Sequence, residues 1–267
     1  MGIKSIKRKE RITEVLDRKG GVSVAELVSM LKVSEVTVRR YLEELEKENV
    51  LLRTYGGAVK KEGGISPEFF FGEKEKKNLA AKKAIAAESI ALIKSGETIF
   101  LDTGTTTLEI SRLLAGIEKK LIVVTNSLPV VSELSQSSVI KVFVLGGFLR
   151  RELMDFSGPF SDSEIKGLAF DQIFLGVDGI SAEKGLTTTD TTTAKIEEAV
   201  MSRTRIINIA ADFSKIGKIS LIQYGDINKR NIHKRLITDS SAEKKEVSLI
   251  KKLGFEIKIA ELQGIKE

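Results

Sequence analysis

Apolar residues recur every three or four positions in three segments near the start of the chain, and this spacing predicts three amphipathic helices. The first segment covers residues 4–19 and ends at a glycine pair, and a short turn at 32–34 separates the second segment from the third. Residues 22–24 are predicted to add a short strand. The side chains predicted to face inward are Ile6, Ile12, Val15 and Leu16, then Ala25, Leu27, Val28 and Leu31, then Val38, Leu42 and Leu45.

The start of the third helix carries short polar side chains and arginines on its outward face. Ser34 precedes this helix and is a good N-cap, because its hydroxyl can accept a backbone N–H of the first turn. After the helix, apolar residues on both sides of a Tyr-Gly-Gly step predict a two-stranded wing. This order is typical of domains that read the major groove, whereas a helical bundle with a solvated charged face is the simpler alternative. The residues predicted to contact DNA are Ser34, Glu35, Thr37, Arg39, Arg40, Tyr41, Arg53, Tyr55 and Lys60.

This segment resembles the winged helix–turn–helix domain of the DeoR family of bacterial sugar-metabolism regulators. The resemblance covers residues 22–59 and is most specific at ThrValArgArgTyrLeu, residues 37–42, where the family typically has T-[IV]-R-R-D-L. Tyr41 stands in place of the usual acidic residue, and Tyr55 stands where the family often has histidine. The resemblance implies a DNA-binding fold, and the change at Tyr41 bears on the operator sequence rather than on that fold.

From residue 79 onward, short apolar strands alternate with helical segments. The strands are predicted at 98–102, 121–125, 140–145, 172–177, 205–211, 235–238 and 256–260. The helices are predicted at 82–93, 107–114, 128–134, 191–203 and 241–253. Such alternation predicts an α/β domain with a mainly parallel sheet that helices cover on both faces.

Polar and glycine residues follow most of these strands. In a parallel sheet these strand ends meet at one edge, and ligands of open α/β sheets bind there, although any one such turn can be an ordinary cap. The turn AspThrGlyThrThrThr, residues 102–107, is the most informative, because Gly104 permits close approach of the backbone and the threonines begin a helix. Free N–H groups at a helix start favour an anion such as phosphate. Neither GxxxxGK[ST] nor GxGxxG occurs, so a small phosphorylated molecule is favoured over an adenine nucleotide.

The second half of the chain resembles the sensor domain of the same family, which is similar in fold to ribose-5-phosphate isomerase and glucosamine-6-phosphate deaminase. The resemblance rests on runs such as IlePheLeuAspThrGlyThrThrThr, ValValThrAsnSerLeu, LeuGlyGlyPheLeuArg and AlaAspPheSerLys, and it spans most of residues 79–240. It implies a phosphorylated sugar or a related metabolite as effector. The positions that it assigns to effector binding are Asp102, Gly104, Thr105, Thr106, Asn126, Gly147, Asp178, Lys195 and Lys215.

The predicted domains are a DNA-binding domain at 1–59, a linker at 60–78 and an effector-sensing α/β domain at 79–267. A glycine pair, a Ser-Pro step and a run of charges favour the linker. Its three adjacent phenylalanines, at 69–71, do not fit a free linker, because their exposure to water is unfavourable. They either dock on the core of the second domain or form an interdomain or subunit contact.

Positive charge is concentrated at the start of the chain. Residues 1–61 hold 14 basic and nine acidic residues, so they carry +5 of the net charge of +6, as a nucleic-acid partner requires. The absence of cysteine excludes disulfides and favours the cytoplasm. With one histidine, no metal centre or cofactor is expected. No apolar stretch reaches the length of a transmembrane helix.

Two functions follow as hypotheses. The first is a transcriptional regulator, most simply a repressor of a carbohydrate operon, in which a homo-oligomer reads two half-sites of double-stranded DNA and an effector changes operator affinity. The alternative is a sugar-phosphate isomerase or deaminase with a DNA-binding appendage, which needs a carboxylate base near the substrate. Asp178, Glu183 and Asp190 are candidates for that base, but their loops contain no clear acid/base pair, and His233 is expected to have no chemical role. We favour the regulator, without enzymatic activity.

Overall fold

Contacts within the chain divide it into two units, Met1–Glu73 and Lys74–Glu267, in a computed structural model. The residues whose structure is described are 3–19, 21–48, 50–54, 56–60, 67–151, 153–159, 161–225, 227 and 232–262. Within these ranges, we find no helix that combines the length and the apolar character needed to cross a bilayer.

The first unit contains the predicted winged helix–turn–helix. Its first three helices are α1 (Ile3–Lys19), α2 (Val24–Leu31) and α3 (Glu35–Lys47). Its strands are β1 (Gly21–Ser23), β2 (Leu51–Thr54) and β3 (Gly57–Lys60), which form an antiparallel sheet in the order β1-β3-β2. The start of α2 is a capping box, in which the Glu26 N–H donates to Ser23 Oγ at 3.1 Å and the Ser23 N–H donates to the Glu26 carboxylate at 3.3 Å. The predicted three helices, short strand and wing are confirmed.

The core of this unit differs from the predicted one in α1 and α2. Ile6 is 47% exposed, and Lys9 is buried in α1, where its ammonium lies 2.9 Å from the Glu44 carboxylate. In α2, Ala25 is exposed and Val24 belongs to the core. A lysine can bury its aliphatic stem when its charge finds a partner, and the partner here comes from another helix. A hydrophobic pattern within one helix cannot reveal such a pair.

Part of the predicted linker is helical. Helix α4 (Pro67–Lys76) begins at a proline, whose fixed φ suits the first turn of a helix, and it contains the three adjacent phenylalanines. Residues 61–66 and the side chains of Phe69 and Phe70 lie outside the described residues, whereas Phe71 is partly buried. The choice between docking and an interdomain or subunit contact therefore stays a prediction.

The second unit is built on a seven-stranded sheet. Its strands are β4 (Thr98–Leu101), β5 (Leu121–Thr125), β6 (Ile140–Val144), β9 (Gln172–Leu175), β12 (Ile206–Ala210), β14 (His233–Asp239) and β15 (Phe255–Ala260). All neighbouring pairs are parallel, in the order β15-β14-β12-β9-β4-β5-β6. The predicted α/β fold with a mainly parallel sheet is confirmed.

Helices cover both faces of this sheet. They are α5 (Leu79–Leu92), α6 (Thr105–Ala115), α7 (Leu128–Leu134), α8 (Ser161–Lys166), α9 (Thr191–Met201) and α10 (Lys244–Lys252), and one 3-10 turn spans Phe213–Lys215. Side chains alternate along the central strands, so that Phe100 and Ile173 belong to the core on one face, whereas Ile99 and Phe174 belong to the core on the other. Burial on both faces explains why these strands are apolar throughout.

The sequence does not predict five short strands or α8. Strands β7 (Phe148–Arg150) and β8 (Asp155–Ser157) form a hairpin, and β10 (Gly179–Ser181), β11 (Gly185–Thr188) and β13 (Ile222–Tyr224) form an antiparallel sheet in the order β10-β11-β13. Strands of three or four residues are too short to show a period, and β13 pairs with a strand more than thirty residues away along the chain.

The order of the parallel strands reverses between β4 and β9. From β4 the chain continues to β5 and β6 on one side, and it later builds β9, β12, β14 and β15 on the other side. The carboxyl ends of β4 and β9 therefore flank the topological switch point, where ligands of open α/β sheets bind.

Candidate DNA-reading surface and effector site

Local hydrogen bonds fix the start of α3. Ser34 caps the helix, since its Oγ accepts the Thr37 N–H at 3.4 Å and lies 2.9 Å from Thr37 Oγ1. Glu35 pairs with Arg39, with 2.6 Å between Glu35 Oε1 and Arg39 Nη2. These four predicted DNA contacts lie at the exposed start of the helix, and the bonds between them use part of their hydrogen-bonding capacity. They orient the helix start as well as offering polar groups to a partner.

Two more side chains at this helix start are strongly exposed. The Arg40 side chain is 65% exposed, with its nearest carboxylate, that of Glu44, at 3.8 Å, and Val36 is 78% exposed. Val36 and Arg40 are four residues apart and so share one face of α3. In a major groove, arginine can bind a guanine edge and an apolar side chain can contact a thymine methyl group. Val36 was not among the predicted DNA contacts. The sequence feature that could have indicated it is an apolar residue that lies off the inward-facing stripe of α3.

The prediction that Tyr41 contacts DNA is wrong. Its side chain is 3% exposed and packs in the core of the first unit. A hydrogen bond with Arg8 lowers the pKa of Tyr41. Position 41 lies three residues after Val38 and four before Leu45, which places it on the buried stripe of α3.

The predicted wing contacts stay predictions. Arg53 lies on β2 and Lys60 ends β3, but their side chains, and Tyr55 as a whole, are not among the described residues.

Asp102 and Gly104 follow β4 at the switch point. Asp102 is 2% exposed, and its Oδ2 accepts the Gly176 N–H at 3.1 Å, which joins the ends of β4 and β9. Burial raises the pKa of Asp102 to about 8. Gly104 has a φ of 145°, which favours glycine, and it begins α6 without a side-chain cap. The first turn of α6 contains Thr105 and Thr106. Its free N–H groups and the positive end of the helix dipole therefore lie at the switch point.

Asp178 follows β9, and Lys215 ends the 3-10 turn that follows β12. Asp178 Oδ2 accepts hydrogen bonds from the backbone N–H and the hydroxyl of Thr189, both at 3.1 Å. Burial works against ionisation of Asp178, but the charge of Lys74, these hydrogen bonds and the charge of Lys215 lower its pKa. Asp178 in turn acts electrostatically on Asp102. The fold thus brings Asp102, Asp178 and Lys215 to one edge from three different strands.

Asn126 lies at the same edge within a second network. Its Nδ2 is 3.4 Å from Asp155 Oδ2, and its buried Oδ1 has no partner among the described residues. Asp155 is fully buried, and Arg150 binds its two carboxylate oxygens at 2.8 and 2.7 Å. Arg150 also lies 2.6 Å from Asp190, which caps α9. Arg150 and Asp155 were not predicted, because their meeting depends on the unpredicted β7–β8 hairpin.

Gly147 and Lys195 differ from the other predicted effector residues. Gly147 has a φ of 143°, and a Cβ there would lie 2.5 Å from the backbone carbonyl of Ser157, so the approach of β8 alone requires glycine. Lys195 is exposed on α9. Its assignment to effector binding stays a prediction.

Two buried titratable groups near Asp102 were also not predicted. Glu197 on α9 is 2% exposed, and burial together with the charge of Asp102 raises its pKa well above the usual range. Tyr224 is equally buried, and burial and the neighbouring Glu197 raise its pKa. The burial of Glu197 could have been predicted from helical spacing, because it lies midway between the buried residues Ala194 and Val200 on α9. Burial therefore favours the protonated form of Glu197, as it does that of Asp102.

Sequence profiles of two domains match the chain in the order in which its two units occur. The DeoR-like helix-turn-helix domain matches residues 8–62, and the DeoR C terminal sensor domain matches residues 77–240.

Several regulators are similar to the chain over nearly its whole length. The HTH-type transcriptional regulator GlpR of Haloferax volcanii is 34% identical over 88% of this chain and 90% of its own length. The putative aga operon transcriptional repressor of Escherichia coli O157:H7 is 31% identical over 94% and 92%. The lactose phosphotransferase system repressor of Streptococcus mutans is 32% identical over 91% and 96%. Among solved structures, ribose 5 phosphate isomerase A from Neisseria gonorrhoeae matches 52% of each chain, with 17% identity and a TM-score of 0.38.

Proposed function

This protein belongs to the DeoR family of transcriptional regulators, and we propose that it represses a carbohydrate-metabolism operon under the control of a phosphorylated sugar or a related metabolite. The names of two relatives, an aga operon repressor and a lactose phosphotransferase system repressor, support this role. The protein would act in the cytoplasm, on double-stranded DNA, as a homo-oligomer whose two-fold symmetry matches two half-sites.

On the DNA side, we assign base contacts to the exposed start of α3. Arg40 and Val36 share one face there and are more exposed than the capped and paired residues around them. Replacing Arg40 by alanine should weaken binding to a selected operator by about 1–3 kcal/mol and relax specificity at one base pair. Lys47→Ala, at the other end of α3, is the matched control. Unchanged affinity and specificity in Arg40→Ala would exclude a base-reading role for Arg40.

On the effector side, the observation that carries the proposal is the uncapped start of α6 at the switch point. The first turn of α6 offers N–H groups and two threonine hydroxyls to an anion, and Asp102 and Asp178 offer oxygen atoms to sugar hydroxyls from the same edge. Lys215 lies at the same edge, where burial and neighbouring lysines lower its pKa, and a bound anion would favour its charged form. A molecule with a phosphate group and a polyhydroxylated carbon chain would bind both the first turn of α6 and the two carboxyl groups.

Thermal unfolding against a panel of phosphorylated sugars and polyols tests the effector class. A ligand that binds only the folded protein adds about 2.7 kcal/mol at about 100 times its dissociation constant. Thr105→Ala should remove most of this gain, whereas Thr191→Ala, at the first position of the Asp190-capped helix α9, should retain it. The stabilising compound should then change the affinity for operator DNA. If no compound of the panel stabilises the protein, the sensor proposal fails.

The alternative, a sugar-phosphate isomerase or deaminase, draws support from the buried carboxyls of Asp102 and Glu197, since raised pKa values are common at catalytic sites. Of the three carboxylates predicted as bases, two accept hydrogen bonds and the third is exposed. Asp178 accepts bonds from Thr189, Asp190 caps α9, and Glu183 is exposed. We therefore propose a regulator without enzymatic activity. Interconversion of ketose and aldose phosphates by the purified protein, lost in Asp102→Asn, would overturn this proposal.

A further inference from the structure

Strand β6 forms one edge of the seven-stranded sheet and, among the described residues, pairs only with β5. The N–H of Leu145, directly after β6, donates to the carbonyl oxygen of Thr125 at 2.9 Å and so points towards β5. Because backbone groups alternate in direction along a strand, those of Ile140, Val142 and Val144 point away from β5. Within the described part of the chain they make no backbone hydrogen bond. The edge therefore offers a row of unpaired N–H and C=O groups.

The side chains at this edge form an exposed apolar surface. Phe143 is 45% exposed, and its neighbours Val144 on β6 and Ile122 on β5 are also exposed. Strand β7, the next strand along the chain, adds Leu149 and Phe148, which is 78% exposed. A phenylalanine side chain covers about 150–250 Å², so the two phenylalanines together leave roughly 200–300 Å² of aromatic surface in water. Exposed apolar patches of this size mark sites of association with another protein surface.

The opposite edge of the sheet, β15, is protected by charge. Glu256 and Lys258 on β15 lie 2.9 Å apart, and Glu256 also binds His233 and Arg235 of β14, each at 2.7 Å. Charged side chains on an edge strand oppose pairing with another strand. Strand β6 carries only one charged residue, Lys141. Association through a sheet edge is therefore favoured at β6.

The order of residues along β6 makes the strand complementary to a second copy of itself. An antiparallel pair with its two-fold axis at Val142 pairs the whole strand, and the two copies of Val142 then exchange both of their backbone hydrogen bonds. Lys141 lies opposite the partner subunit's Phe143, in a pair without mutual hydrogen bonds whose side chains are close together. An aromatic face attracts the lysine ammonium, and the two lysines of the dimer do not face each other.

We propose that β6 is the dimerisation edge of this protein, where the sheets of two copies join into one continuous sheet. The inference rests on the proposed homo-oligomer and names its interface. Strand β6 lies two strands from β4, so the joined edges are away from the switch point between β4 and β9. Pairing of identical edges also supplies the two-fold symmetry that two half-sites need.

Disulfide cross-linking locates the interface, because the chain contains no cysteine of its own. The Cα atoms of a hydrogen-bonded antiparallel pair lie about 5.5 Å apart, a distance that a disulfide spans. Val142→Cys should therefore form a covalent dimer under mild oxidation, measured on a non-reducing denaturing gel. Ile259→Cys, at an exposed position of the opposite edge strand, is the matched control and should stay monomeric on the same gel.

An exchange of charge tests the register of the two strands. Phe143→Lys places a lysine opposite Lys141 at two places in the dimer, and sedimentation equilibrium should show a dissociation constant raised at least about 10-fold. Adding Lys141→Glu restores opposite charges at both places and should recover most of the affinity, which it would not do if Phe143→Lys had damaged the fold. Leu221→Lys, at an exposed apolar position outside this edge, is the control and should associate as the wild type does.

The outcomes distinguish this inference from the proposed function. Absence of a covalent dimer in Val142→Cys, or an equal yield in Ile259→Cys, overturns the role of β6 and leaves the proposed regulator standing. Unchanged association of Phe143→Lys, or no recovery on adding Lys141→Glu, overturns the pairing of Lys141 with Phe143. If the wild type is monomeric at every concentration measured, both this interface and the proposed homo-oligomer fail, whereas the tests of effector binding and base reading are unaffected.

Discussion

Replacing Asp102 by asparagine tests whether the carboxyl at the switch point is protonated in the folded protein. Asp102 is 2% exposed, and burial raises its pKa from 3.8 to about 8. Between these two pH values the folded chain holds a proton that the unfolded chain releases. The unfolding free energy contributed by this group is therefore largest below about pH 4 and falls as the pH rises towards about 8. Asparagine resembles the protonated acid in shape and has no such dependence.

The size of the effect follows from the linkage between proton binding and folding. One proton bound by the folded state and not by the unfolded state changes the unfolding free energy by about 1.4 kcal/mol per pH unit. Between about pH 5 and about pH 7, the wild type should therefore lose about 3 kcal/mol relative to Asp102→Asn. Any constant loss from altered hydrogen bonding to Gly176 shifts the whole curve and leaves this slope unchanged.

Urea unfolding followed by far-ultraviolet circular dichroism at several pH values measures this slope, and the chain contains no tryptophan that would serve as a probe. Glu88→Gln, an exposed carboxyl on α5, is the control and should run parallel to the wild type. If the curves of the wild type and Asp102→Asn are also parallel, Asp102 is ionised in the folded protein, and our account of the buried carboxyl at the switch point is wrong.

Three further substitutions test the packing and the capping that position the two sites. Arg150→Met leaves the carboxylate of Asp155 buried without its charged partner, and urea unfolding should show a loss of about 3–5 kcal/mol, part of which Asp155→Asn restores in the double variant. Gly147→Ala places a Cβ 2.5 Å from a backbone carbonyl and should lower the midpoint of thermal unfolding clearly, whereas Gly146→Ala meets no atom within 4 Å and should not. Ser23→Ala removes the capping box of α2 and should destabilise the first unit by about 1 kcal/mol in calorimetry; no change would mean that the box contributes nothing.

Local patterns predicted the winged helix–turn–helix almost completely, because its helices have strong apolar periods and recognisable caps. The same patterns failed where a residue is buried through a partner on another element. Lys9 is buried because Glu44 on α3 meets it, and Tyr41 is buried because the inward stripe of α3 is wider than the three apolar residues that define it. Val36 was missed for a different reason: an apolar residue on the exposed side of a helix does not by itself indicate a contact with DNA.

The sequence by itself determined the two-part organisation, the parallel sheet and the identity of most strand ends, because apolar runs, glycines and caps act over a few residues. It also located Asp102, Gly104 and Asp178, since these follow strands directly. Only the tertiary structure decided where the strand order reverses, because strand order depends on pairings between distant segments. For the same reason it alone brought Arg150 to Asp155. Contacts between residues far apart in the chain leave no local pattern, and the chemistry of this edge depends on such contacts.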